Sequence, residues 1–337
     1  MSAKPDLRLI SDSKLAKPIK EKTSPMAEII LHHYAQSPFS QKVRSYLGFK
    51  GLGWRSHIVP WVPPRNELSI LTGGNRRIPV VQVGADILCD STLILRTLEQ
   101  LHPSPPISRL ADTLIHPLAR LWEPRQMIYL GAVRFLSRED VGGMFADDAE
   151  RTAFLKDRIG FMAPASDITK NGEFAPTAGA HVKLHANWLN NLLGTSGAFL
   201  GGERPSLADF SAFHGFWWLR PGSAKADLLS PLDALWPWVD RMERLAGGAK
   251  PRSINSAGAL ALAHASQPAI DLPHAPNPGD PPLGARISVA PDDYGKDPST
   301  GDLVSIGPDH VVLRRETLEA GVVHVHFPRW GYRVTLA

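Results

Sequence analysis

One cysteine, Cys89, in 337 residues excludes an intramolecular disulfide framework, a Cys-x-x-Cys redox pair and a thiolate-rich metal site. Thiol chemistry here has to use Cys89 or a thiol brought by a substrate. Also missing is any run approaching the ~18 apolar residues that span a bilayer, and residues 1–26 lack the apolar block of a signal peptide. The expectation is a soluble, cytoplasmic protein with no membrane partner. Charge imbalance is small as well. Of a net +4, three charges fall in residues 1–26, where Lys4, Arg8, Lys14, Lys17, Lys20 and Lys22 face only Asp6, Asp12 and Glu21. A nearly neutral body argues against nucleic acid as a partner, and the basic leader is expected to be disordered. What the chain does have is 43% apolar residues, enough for the cores of two or three domains.

The most informative stretch runs from Glu28 to Lys50. Ile29, Ile30 and Leu31 read as a strand; Phe39, Val43, Tyr46, Leu47 and Lys50 then recur at helical spacing. Ser37 is the expected N-cap and Pro38 the first helical residue, where a missing N–H costs nothing. A helix start of this kind offers free N–H groups and a partial positive charge to a phosphate, a carboxylate or a thiolate.

Downstream, Trp54 to Pro60 reads as a second strand, Arg65 to Leu71 as a short helix, and Ile78 to Val83 and Ile87 to Cys89 as strands joined by a Gly84-Ala85-Asp86 turn. Asp90-Ser91 then caps a helix carrying Leu93, Ile94, Leu98 and Leu101. The order βαβ, helix, ββα is thioredoxin-like, and this α/β domain is assigned to residues 27–103. Pro79 opens the third strand, so either the Ile78-Pro79 bond is cis or the strand lies at an edge.

An all-helical domain is assigned to residues 111–248, its first helix interrupted by Pro117 and Pro124. Ser206 and Asp209 fit an N-cap and its N3 partner and are read as structural. Proline-rich residues 249–286 read as a linker, and short β-rich runs in 287–337 as a small antiparallel sheet or barrel. His324 and His326 share a strand face there, but no third ligand has a readable spacing, so no metal is expected.

With these features in hand, residues 28 to about 248 resemble the soluble glutathione transferase family. The motifs that carry the resemblance are Ser37-Pro38-Phe39-Ser40 with Val43-Arg44, Ile78-Pro79-Val80, Asp90-Ser91, and the Ser206/Asp209 cap before an aromatic helix. The resemblance implies glutathione as co-substrate and an electrophilic small molecule as its partner. It also implies a homodimer. By the same resemblance, Ser37 governs the glutathione sulfur, Ile78 pairs through its backbone with the cysteinyl unit beside a cis Pro79, and Asp90 and Ser91 hold the γ-glutamyl end. Tyr34 and Ser40 are alternatives to Ser37, and Cys89 is read as a small buried residue. Trp122, Arg125 and Tyr129 share a helix face and are candidates for the wall of the second-substrate pocket. Serine at 37 cannot form a mixed disulfide, which leaves conjugation, isomerisation, elimination or ether cleavage. A non-catalytic glutathione-binding scaffold acting through the β-rich region is the competing expectation.

Overall fold

The structure is a computed structural model and describes residues 28–109, 115–135, 145–162, 174–219, 229, 231–248 and 250–337. The leader, residues 1–26, lies outside the described residues. The α/β unit consists of β1 (Ile29–His33), α1 (Pro38–Phe49), β2 (Arg55–Ile58), α2 (Asn66–Thr72), β3 (Val80–Val83), β4 (Asp86–Cys89) and α3 (Ser91–Leu101). β1 and β2 are parallel, and β3 and β4 follow antiparallel, which is the thioredoxin-like arrangement read from the sequence. Side chains alternate across the sheet as the strand repeat requires: Leu31, Val81 and Leu88 join one core, while Val80, Ile87 and Cys89 join the other.

The helical unit comprises α4 (Ile115–Phe135), α5 (Asp148–Met162), α6 (Phe174–Ser196), α7 (Leu207–Leu219) and α8 (Leu235–Leu245). α4 continues through both Pro117 and Pro124, so the expected interruption does not occur. At the head of α7 the Ser206 N–H and hydroxyl both donate to Asp209 Oδ2, and Asp209 Oδ1 accepts from Leu200 N–H and from the indole of Trp238. The pair is a reciprocal cap, as its spacing indicated, and it also anchors a fully buried tryptophan of α8.

The C-terminal region is β-rich with antiparallel pairs, as expected, but it is joined to the rest of the chain differently. Residues 249–286 are not a free linker: they contain β5 (Arg252–Ser253), which pairs with β2, and α9 (Ser256–His264), which packs on α2. Nor do residues 287–337 form a sheet of their own. β6 (Arg286–Pro291), β7 (Ser299–Ile306), β8 (His310–Thr317), β9 (Gly321–Pro328) and β10 (Tyr332–Leu336) join the first sheet through a parallel β4·β9 ladder, giving ten strands in the order β10-β6-β7-β8-β9-β4-β3-β1-β2-β5. The physical reason is that β4 would otherwise be an open edge, with unpaired N–H and C=O groups that a second strand satisfies.

Two buried polar clusters sew this extension on. Asp86, expected in a turn, lies inside β4 and is fully buried; it accepts from the backbone N–H of Ala269 (2.6 Å) and Ile270 (3.0 Å) and bonds His326 Nε2 (2.8 Å). His32 of β1 and His57 of β2 meet Nδ1 to Nδ1 at 2.8 Å. The Gln82 amide donates to the carbonyls of Gly84 and Ala259, which turns its oxygen toward His32 Nε2. His32 therefore donates from Nε2 and accepts at Nδ1, so His57 is protonated at Nδ1 and its Nε2 accepts from Ser256 of α9. Each ring holds one proton, and burial lowers the His32 pKa to about 3.

Candidate active site

Ser37 ends the turn after β1 in extended backbone, and its Oγ accepts from Ser40 N–H at 3.2 Å. The residue is almost completely buried. Capping uses an oxygen lone pair and leaves the hydroxyl proton available to a ligand. Ile78-Pro79 is cis, and Pro79 stands just ahead of central strand β3, where it removes no ladder hydrogen bond. Asp90 is the one non-glycine residue at positive φ (78°) among the described residues. Its Oδ1 accepts from Thr92 N–H (2.8 Å) as the cap of α3. Backbone of this kind costs about 1–3 kcal/mol and is typical of positions where geometry serves a site.

These residues converge. Ser37, Ile78, Pro79, Asp90 and Ser91 line one cavity of about 810 Å³, within the ordinary range for a small-molecule site. Tyr34 joins them, its ring against Trp61 (4.5 Å between centroids). Ser40 is fully buried and is not part of the lining. Cys89 is also fully buried, and burial pushes its thiol up, so it stays protonated.

Trp122, Arg125 and Tyr129 are placed elsewhere. Trp122 stacks on Trp188 of α6 (5.1 Å), Tyr129 stacks on His181 of the same helix (4.6 Å), and Arg125 is exposed. Their shared face meets α6; the cavity receives Leu121, Glu123, Met127 and Ile128 from other faces of α4. Helical spacing put the three together, but spacing does not say which neighbour a face meets.

The sequence reading missed two groups of lining residues and the buried lysine that holds Glu123 of the lining in place. Lys42 of α1 is fully buried and donates to Glu123 of α4 (2.7 Å) and to Thr92 of α3 (3.2 Å), bridging the two units behind the cavity. Arg65, Arg76 and Arg77 form a cationic side. Arg65 donates to the carbonyls of Pro60, Trp61 and Arg76, and burial lowers it only to about 10, so it remains charged at neutral pH. Arg77, the neighbour of Ile78, could have been noticed from its position; it pairs with Asp293 and lies over the Tyr294 ring (4.2 Å). The second lining group comes from the extension: Asp292, Asp293, Tyr294 and Arg329 through Tyr332. No sequence signal connects those residues to Ser37. Elsewhere in the extension, His326 commits its Nε2 to Asp86, and no cluster of three or more His, Cys, Asp or Glu suited to a metal ion occurs among the described residues.

Comparison with known proteins decides the family. A GST-like protein from Pseudomonas syringae has a structure matching 93% of this chain and 100% of its own, at 31% identity and a TM-score of 0.74. The chain belongs to the glutathione S-transferase family. The family model "Glutathione S-transferase, N-terminal domain" matches residues 31–106 and "Glutathione S-transferase, C-terminal domain" matches residues 174–241. The overlap with the Pseudomonas protein includes the C-terminal extension. More distant solved structures include a glutathione transferase from Phanerochaete chrysosporium (18% identity, 67% of this chain and 98% of that one, TM-score 0.49). Another is a glutathione S-transferase from Methylobacterium radiotolerans in complex with glutathione sulfonate (17% identity, 67% and 95%, TM-score 0.45). No curated protein sequence matches.

Proposed function

We propose that this glutathione S-transferase family member is an enzyme that binds glutathione in the Ser37 cavity and holds its sulfur as thiolate for attack on an electrophilic carbon. The observation that carries the reading is the convergence of Ser37, Ile78, Asp90 and Ser91, distant in sequence, on one cavity. The Ser37 hydroxyl donates to the sulfur, Ile78 pairs with the cysteinyl backbone, Ser91 and the start of α3 take the γ-glutamyl carboxylate, and Asp90 takes its ammonium. The thiol proton leaves to solvent, and the thiolate displaces a leaving group or adds to the electrophile.

Magnitudes support this assignment. A thiol of pKa about 8.5 is a few per cent ionised at pH 7, and lowering it by roughly two units requires about 2.7 kcal/mol of preference for thiolate. A hydrogen bond to a charged group supplies about 1.5–3 kcal/mol and a helix N-terminus about 0.3–1 kcal/mol. Ser37→Ala is expected to lower kcat by about thirtyfold, with glutathione affinity little changed and the bound-thiol pKa returning toward its free value. Calorimetry, the ultraviolet thiolate band against pH and turnover of a model electrophile read the three effects. Tight binding with no turnover of any electrophile in the wild type would instead favour the non-catalytic scaffold. Because the extension lines the same cavity, its structure favours a part in this site over a separate scaffolding role.

A second expected outcome concerns Asp90. Asparagine tolerates positive φ and can still cap α3, but it carries no charge for the ammonium. Asp90→Asn should therefore weaken glutathione about tenfold at an unchanged melting temperature; equal affinity would remove Asp90 from the ligand's ammonium. As the family implies, the enzyme is expected to be a homodimer, which sedimentation equilibrium would read directly.

A further inference from the structure

The C-terminal half of α5 turns one face to the cavity: Phe154, Leu155, Arg158, Ile159 and Phe161 all line it. Phe154 and Phe161 are buried, but Leu155 is exposed and Ile159 is 73% exposed. Exposed apolar side chains on a cavity wall are what an apolar ligand covers. The contacts proposed for glutathione, at Ser37, Ile78, Asp90 and Ser91, all belong to the α/β unit. The α5 face is therefore left to the second substrate.

Arg158 is the charged residue of that face, and its charge is not matched. Its Nη2 donates to the Trp61 carbonyl at 3.2 Å, an acceptor that also takes Arg65 Nη2 at 2.7 Å, and its Nε lies 3.8 Å from Asp157 Oδ2. Asp157 is already committed, because Arg76 Nη2 donates to its Oδ1. Arg76 and Arg158 also lie over the same ring, that of Phe161, at 4.8 and 5.0 Å from its centroid. Three cavity-lining guanidinium groups, those of Arg65, Arg76 and Arg158, thus gather round one carboxylate; a second, Asp297, is half exposed and 3.9 Å from Arg76 Nε. Arg65 spends its donors on carbonyls, whereas Nη1 of Arg76 and Nη1 of Arg158 make no hydrogen bond among the described residues and are open to solvent. A guanidinium keeps its proton at neutral pH, so surplus charge of this kind is relieved by an anion, and its planar fork of donors fits a carboxylate, sulfonate or phosphate.

We infer that the electrophile this site takes is an apolar molecule carrying an acidic group, a carboxylate or a similar oxyanion, which Arg158 holds with Arg76 beside it while the apolar body covers Leu155 and Ile159. The inference rests on the glutathione reading above and deepens it by naming the class of second substrate. Arg158 is then a specificity-determining residue: it favours an acid over the neutral molecule of the same shape. A carboxylate of glutathione itself has the same chemistry, and the experiment separates the two sources.

The test is calorimetric titration of three ligands into wild type and Arg158→Gln: glutathione, its S-(para-carboxybenzyl) conjugate, and the same conjugate with a carboxamide in place of the benzyl carboxylate. Wild type should bind the carboxylate conjugate about tenfold more tightly than the carboxamide, the worth of one hydrogen bond between charged groups. Arg158→Gln should abolish that preference and leave glutathione and the carboxamide conjugate unchanged. Glutamine keeps a donor for the Trp61 carbonyl, so the melting temperature is expected to hold, and the wild-type preference is read without any variant. No wild-type preference for the carboxylate, or one that survives Arg158→Gln, overturns the assignment and leaves the glutathione site standing. A tenfold loss for glutathione itself would give Arg158 to a carboxylate of glutathione and overturns the assignment equally. Absence of wild-type binding of all three ligands at millimolar concentration overturns the glutathione reading, and the Arg158 assignment with it.

Discussion

Asp86→Ala is expected to destabilise the protein by about 4 kcal/mol and to do so for the whole sheet in one transition. The substitution leaves two backbone N–H groups, at Ala269 and Ile270, and the His326 ring without their acceptor in a place water does not reach. Each unpaired buried group costs about 1–3 kcal/mol, and three are left here. As a control, Asp302→Ala removes a pair with Arg286 in which both side chains are about half exposed, and should cost under about 1 kcal/mol. Chemical denaturation followed by tryptophan fluorescence and by circular dichroism would measure both. If residues 287–337 unfolded in a separate, earlier transition in the wild type, the continuous ten-stranded sheet would not be the cooperative unit proposed here.

Acid is expected to unfold this protein well above the carboxylate range. His32, His33 and His214 are buried, and burial lowers the pKa of each from 6.5 to about 3; His57 and Arg44 add to the effect at His32 and His33 respectively, and Lys42 adds to it at His214. Geometry independently requires one of them to be neutral: His33 Nδ1 faces Arg44 Nη1 at 3.0 Å, where only a lone pair is accommodated. These groups bind protons in the unfolded chain from about pH 6.5 downward but remain neutral in the folded one. Stability is therefore complete above about pH 6.5 and is lost as pH falls toward 3. With three such groups the slope near pH 5.5 is about 4 kcal/mol per pH unit. Melting temperature measured from pH 8 to pH 4.5 should be level above pH 7 and fall steeply below pH 6. A flat profile between pH 7 and pH 5 would contradict the neutral, buried histidines.

Much of the candidate site was legible because its signals are local. Ser37-Pro38 is a helix start whatever surrounds it, and Ser206 with Asp209 is a cap by spacing alone. Asp90-Ser91 read as a cap for the same reason, although the positive φ of Asp90 is a property of the folded chain. The Trp122, Arg125 and Tyr129 face was correctly grouped but not correctly aimed, since periodicity fixes which residues share a face and is silent on what the face meets. Lys42 was hidden in another way. A lysine amid apolar positions on α1 reads as solvent-facing, and only a partner eighty-one residues away, Glu123, makes its burial possible.

By itself, then, the sequence determined the order of strands and helices in the α/β unit, the caps at Ser37, Asp90 and Ser206, and the family of the first two units. The tertiary structure alone decided that the C-terminal strands continue the first sheet and that Tyr332 reaches the Ser37 cavity. The reason lies in the backbone. Strand pairing is made by N–H and C=O groups that every residue except proline carries alike, so the alternation in β9 shows that it pairs, while the choice of β4 as its partner comes only from the assembled edge.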